Sequence, residues 1–446
     1  MARKGIKIIL CILLIAAVVG GIAAYKVHEA RYAEYWGIEI DVRSAELNLW
    51  GLPYTVEELL ALSERMEMVT ALELGTINMT AEELAQIRAA YPHAEISYTV
   101  ELFGETLAPD TKELDFSDVD PRAVMECIPK LMLLPNLQQI DLITEAGECL
   151  WGLSDLAVMD AVREAVPNVR FSVEFDLFGQ TVTDQDTRIE YVQKDIGNSG
   201  AEIIRSVLPY LASCEYFLLD GCGIDNELLA ELRADFPNTK IVWRIWLGES
   251  DYKSPRAMRA RSFLTDTHRI RTTAVNDSNC HLLKYCVETK YVDFGHNHGI
   301  SDFSFLSYMP KLEVAILALT KCNDLTPLAN CTELEYLEVY RSDVTDLSPI
   351  ANCKKLKHLN FGDMDISDIT CLYDIDLERI RGCLTPVPQE QWEEFARLHP
   401  DCQILNEGGS PSKNGWRKDA NGVKVPRYAL LQQQMEYAID HQYGIA

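Results

Sequence analysis

Asp302-Phe303-Ser304-Phe305-Leu306, Asp324-Leu325-Thr326-Pro327-Leu328, Asp346-Leu347-Ser348-Pro349-Ile350 and Asp368-Ile369-Thr370-Cys371-Leu372 are one phrase written four times, each aspartate 22 residues after the last. Leu312, Leu334 and Leu356 recur at the same spacing, as do Ala315, Leu337 and Leu359, and then Leu317, Val339 and Phe361. A fixed period of this length predicts a solenoid, because a unit so short cannot cover its own apolar face and must share a core with its neighbours.

With its Leu-x-x-Leu-x-Leu signature and its Ala-Asn-Cys phrases at 329–331 and 351–353, the block resembles leucine-rich repeats of the internalin-like, 22-residue class. The resemblance implies a curved parallel sheet on the concave side of an α/β coil, helices or irregular turns on the convex side, and a binding role of the kind that bacterial surface proteins have. The family's ladder asparagine is replaced here by Thr320, Ser342 and Met364, with Asn297 one turn earlier.

Outward from this block, three amphipathic segments each stop at a proline: 84–92, 159–167 and 229–237. Each is followed by a β-rich run, and 392–405 repeats the pattern less closely. Further strands are expected at 71–74, 113–116, 137–142 and 216–219. Alternation of this kind predicts a parallel sheet, and one continuous or slightly broken coil from about 45 to 405 is the economical reading. The expected organisation is a cytoplasmic N-terminus (1–7), a transmembrane signal anchor (8–25), an irregular helix-rich region (40–250), a basic linker or insertion (251–280), regular repeats with a closing unit (281–405), and a flexible break with a C-terminal helix (406–446). Basic Arg3, Lys4 and Lys7 ahead of an uncharged apolar run orient the anchor with the remainder outside, and a cleaved signal peptide, leaving a secreted protein, is the competing reading.

A net charge of −27 opposes nucleic acid and anionic membrane surfaces as partners. Of thirteen cysteines, Cys331 and Cys353 occupy matching repeat positions and Cys322 fills a slot taken next by Val344 and Ile366, so packing explains them, whereas pairing of Cys280 with Cys286 or Cys214 with Cys222 stays open. Sequons stand at Asn78, Asn276 and Asn330. His296 and His298 flank Asn297 and are expected to face solvent, no nucleophile or phosphate-loop motif occurs, and neither catalysis nor a cofactor is expected.

Strand alternation sends the repeat leucines inward and leaves the residues between them on the concave face. These are Tyr291, Asp293, His296, Val314, Ile316, Leu319, Tyr336, Glu338, Tyr340, Arg341 and His358. Aromatic and aliphatic residues with one arginine predict docking of a protein or peptide across Ile316, Tyr336 and Tyr340; the alternative is that the chain's own tail or a second copy covers them, as in a self-associating envelope scaffold. A weaker candidate is an anion-binding patch of Lys253, Arg256, Arg259, Arg261, Arg269 and Arg271, for a cell-wall polymer. In the C-terminal helix, Tyr428, Leu431, Met435 and Ile439 share one face, which predicts a lid on the end of the core.

Overall fold

The computed structural model describes residues 2–144, 149–406, 408 and 414–437, with the side chains of 2–13 and 15 outside the description. Two compact units result, 1–186 with 206–213 and 187–205 with 214–446.

The helix-rich region is a module used three times. In the first unit, parallel strands Glu46–Asn48, Ala71–Ile77 and Glu95–Leu102 end on antiparallel Glu105–Leu107. Parallel Glu113–Asp115, Gln139–Asp141 and Arg170–Ser172 are followed by the hairpin Glu174–Leu177 with Gln180–Thr183. In the second unit, parallel Arg188–Val192, Tyr216–Asp220 and Lys240–Trp246 end on antiparallel Ser262–Leu264.

The helices between these strands are locally specified. Thr55 with Glu58 and Thr80 with Glu83 close capping boxes, satisfying the first-turn N–H groups. Tyr91, Val166, Phe236 and His399 each precede a proline and take the same cap conformation, φ −119 to −129 with ψ 65 to 79, because the proline ring excludes the helical value.

The antiparallel closures depart from the expected continuous coil. Their signal lies in Phe103-Gly104 and Phe178-Gly179, where both residues have positive φ (46 and 85, 56 and 78), the geometry of a tight hairpin turn. The expected basic linker is likewise structured: it holds helix Pro255–Arg261, the closing strand Ser262–Leu264 and the first strand of the next sheet, Arg269–Arg271.

That next sheet has seven parallel strands in unbroken register: Arg269–Arg271, Tyr291–Asp293, Val314–Ile316, Tyr336–Glu338, His358–Asn360, Arg379–Arg381 and Gln403–Ile404. The central residues Ile270, Val292, Ala315, Leu337, Leu359 and Ile380 are fully buried in the solenoid core. On the far side of the core the repeated aspartates close Asx turns that lead into short 3-10 helices: Asp302, Asp324, Asp346 and Asp368 accept the N–H of Ser304, Thr326, Ser348 and Thr370 at 2.8–2.9 Å. This is the leucine-rich repeat architecture that the period implies.

The ladder position thins along the coil. Asn297 bonds Val275 O and Gly299 N, Thr320 bonds Leu317 O and Cys322 N, and Ser342 reaches only Met364 Sδ at 3.9 Å. Every described cysteine is a free thiol, which resolves the open pairings at 280/286 and 214/222. Helix Ala2–Arg31 contains the expected anchor, of which 8–13 and 15 lie outside the described side chains. Among the described residues no helix is long and apolar enough to cross a membrane.

Candidate functional site: a sheet face covered by the tail

Alternation should leave the first and third residues of each repeat strand open on the sheet face opposite the core. The first two strands show this pattern, half-buried, buried, half-buried. In Val314–Ile316, Tyr336–Glu338 and Arg379–Arg381 all three residues are buried. The chain's own C-terminal segment supplies the cover.

Trp416, Leu431, Met435 and Tyr437 form one apolar cluster with Val314, Ile316, Ala318, Tyr336 and Tyr340, flanked by Tyr291, Leu319, Leu405 and Tyr428. Helix Pro426–Gln434 therefore lies across the sheet face and not on the end of the coil, which corrects the expected lid. The end is closed instead by helix Gln389–Leu398, whose Trp392 and Phe395 are buried. Tyr428, Leu431 and Met435 do share the buried face; Ile439 lies outside the described residues.

Polar contacts fix the tail at three points. At the centre, Glu338 is 1% exposed and accepts from Trp416 Nε1 at 2.8 Å, Arg417 Nη2 at 2.7 Å and the Tyr336 hydroxyl. Burial pushes the Glu338 carboxyl up, but Arg417 with the Tyr336 and Trp416 bonds more than reverses this and holds it below its usual value. At one end Arg269 donates to Met435 O at 2.7 Å and pairs with Glu436 at 3.1 Å, while Asp293 accepts from the Tyr437 hydroxyl at 2.9 Å and lies 3.5 Å from Arg271. At the other end Arg379 donates to Trp416 O at 3.4 Å and to Gly415 O.

The expected binding residues thus fall into two groups. Val314, Ile316, Tyr336, Glu338 and Tyr340 are buried, and Tyr291, Asp293, Leu319 and His358 are half-covered. A free partner cannot reach this surface while the tail is docked, which corrects the expectation of an open docking face across Ile316, Tyr336 and Tyr340. His296 and Arg341 stay exposed at the rim. They belong to a series that sequence reading missed: His296, Leu319, Arg341, Asp363 and Leu384 each stand three residues past a strand and each have positive φ, from 54 to 65. His298 is exposed as well, with Asn297 buried between the two histidines.

Of the six basic residues at 253–271, Arg259, Arg269 and Arg271 come together, with Arg244, around a cavity of 440 Å³; Lys253, Arg256 and Arg261 do not line it. Arg244 is already paired with Asp220 at 2.9 Å. Trp416, Arg417, Arg427, Arg379 and Tyr437 were not legible as site residues. A Trp-Arg pair directly after a Gly/Ser-rich break was the available signal.

No protein-family model matches the chain, and no curated protein sequence matches it. Among solved structures it is similar to internalin C2 of Listeria monocytogenes (22% identity, 51% of this chain and 86% of that one, TM-score 0.27). It is also similar to a leucine-rich repeat protein of Leptospira interrogans (16%, 82% and 95%, TM-score 0.30). A third likeness is to the plant peptide hormone receptor RGFR1 in complex with RGF2 (14%, 81% and 49%, TM-score 0.26). Superpositions at this level do not bear on what the chain binds; the repeat class rests on its own strand register.

Proposed function

We propose that this protein is a non-catalytic recognition module, held at the outer face of a membrane by its N-terminal helix, whose seven-stranded sheet takes a polypeptide segment across the face opposite its core. The observation that carries the reading is the tail itself. Residues 414–437 are a peptide seated across that face, anchored by Trp416 and Arg417 on a buried glutamate. Aromatic and arginine anchors in a desolvated centre, with polar contacts at both ends, are the make-up of a binding hot spot. In this state the tail is the resident occupant, and a partner must displace it.

A synthetic peptide of residues 414–437 tests this against the full chain carrying Trp416→Ala and Arg417→Ala, which weakens the resident tail. The peptide is expected to bind, and to lose binding when Glu338→Ala is added. If it does not bind the weakened chain, the tail is a permanent part of the fold and the self-covered scaffold is the better reading. The anchor has its own support in Leu14, Val18, Val19 and Ile22, each more than half exposed on one helix. External protease on intact cells should digest the body of the protein, and its survival until lysis would reverse the orientation.

A further inference from the structure

The structure assigns a second site, for a small organic carboxylate, to the chamber between the C-terminal end of the sheet and the docked tail. The chamber measures 1110 Å³, and its lining includes His358 and Arg379 from the sheet, Arg427 from the C-terminal helix, and Glu378 and Asp419.

The two ends of the sheet differ in how their arginines are neutralised. At the first, Arg269 pairs with Glu436 and Arg271 with Asp293. At the other, among the described residues, Arg379 is 9% exposed and bonds only main-chain oxygens, and Arg427 bonds only Gln434 Oε1, at 2.9 Å. Neither forms an ion pair among the described residues. Arg379 Nε, Arg427 Nη2 and His358 Nδ1 are moreover sealed from solvent and make no hydrogen bond. Buried charge without a bonded counter-charge is costly, and although Arg427 lies over the Tyr336 ring and Arg379 over the Trp416 ring, with Glu335 and Glu338 acting on Arg427 only through space, neither guanidinium has a carboxylate in contact with it among the described residues.

A carboxylate lying against the accessible edges of these side chains supplies that contact. The acidic lining selects against a multiply charged anion. The Glu378 side chain is 64% exposed, with Oε2 3.8 Å from His358 Nε2, and Asp419 accepts the N–H groups of Asn421 and Val423. Together they oppose a dianion more strongly than a monoanion.

His358 reports occupancy. Its ring lies near Tyr336 and Trp416, with Lys357, Arg379, Arg427 and Glu378 as its charged neighbours. Burial, then Arg427, Arg379 and Lys357, push its pKa down to about 4. A bound carboxylate opposes all three cations, so it must raise that value.

The test follows the His358 ring resonance of the full chain at pH 7, where acetate is ionised and the tail is docked, assigned with His358→Gln, during addition of acetate to about 100 mM, enough to saturate a millimolar site. Chloride at equal ionic strength is the control. Acetate is expected to shift the resonance saturably, and chloride is not. Arg379→Gln and, independently, Arg427→Gln should each weaken the acetate response at least about fivefold. Equal behaviour in acetate and chloride overturns the site, as does a larger shift with inorganic phosphate than with acetate. An acetate response that appears only in Glu407→Gln also overturns it, since the counter-charge would then be the chain's own.

Discussion

Glu338 is the residue on which tail docking turns. Removing its charge leaves Arg417 half-solvated and unpaired against an apolar cluster, and breaking a buried pair from one side costs about 3–5 kcal/mol. Glu338→Gln should therefore release the tail, seen as a red shift of Trp416 fluorescence and new protease cleavage between 406 and 437, with the repeat core intact. Acid should act in the same direction. The folded pKa of Glu338 is depressed, so its contribution is present above the ordinary carboxylate value and lost as pH falls through the folded one. His358 is depressed from 6.5 to about 4, so its neutral form is favoured in the folded protein, and that contribution fades as pH falls between those values. The loss at His358 is at most about 3 kcal/mol, less with screening. Asp293 opposes this trend: burial raises its pKa, so its contribution is greatest at low pH and is lost as pH rises through the folded value. Tail release measured by fluorescence between pH 7 and 4 should be shallower in His358→Gln, and an unchanged profile would remove His358 from the account.

The repeat turn is the next scale, and its two signatures have opposite effects on stability. Each repeated aspartate accepts the first N–H of a 3-10 helix through an Asx turn, so Asp346→Ala should cost about 1 kcal/mol in denaturant unfolding. The residue three past each strand holds positive φ at a cost that glycine does not bear. Leu384, 65% exposed with φ 58, gives up little packing, and Leu384→Gly should stabilise by about 1 kcal/mol in the same assay. The Ala-Asn-Cys cysteines have thiols pushed up by burial, Cys331 to about 12 and Cys353 to about 11, and both should resist thiol reagents until the coil unfolds. Rapid native labelling of both would show that the core opens locally.

For the whole molecule, the sheet face and the tail form one equilibrium. A Gly/Ser-rich connection of a few residues keeps the tail at a high effective concentration over its own face, so an external peptide competes poorly until a docking contact is weakened. Trp416→Ala should cost about 3 kcal/mol of docking and raise trans-peptide affinity correspondingly, measured by anisotropy of a labelled 414–437 peptide. Affinity unchanged by Trp416→Ala would mean that the two peptides do not share a site.

Periodicity alone determined the regular coil. A 22-residue spacing of leucines and aspartates permits one way of burying every leucine, and the strand register from Val314 to Asn360 follows it turn by turn, the pairings on either side differing by one residue. The proline-stopped helices were equally legible, because the proline acts on its immediate neighbour. Local sequence also held the residues of the sheet face, Tyr336, Glu338 and Tyr340 among them, but not their state. Whether an apolar face meets solvent, a partner or its own chain depends on contacts between residues far apart in the chain, 36 positions for Arg379 with Gly415 and 78 for Glu338 with Trp416, which no local pattern encodes. The same distance hid the chamber at Arg379, since a missing counter-charge is a property of what the fold brings near a residue and not of the residue itself.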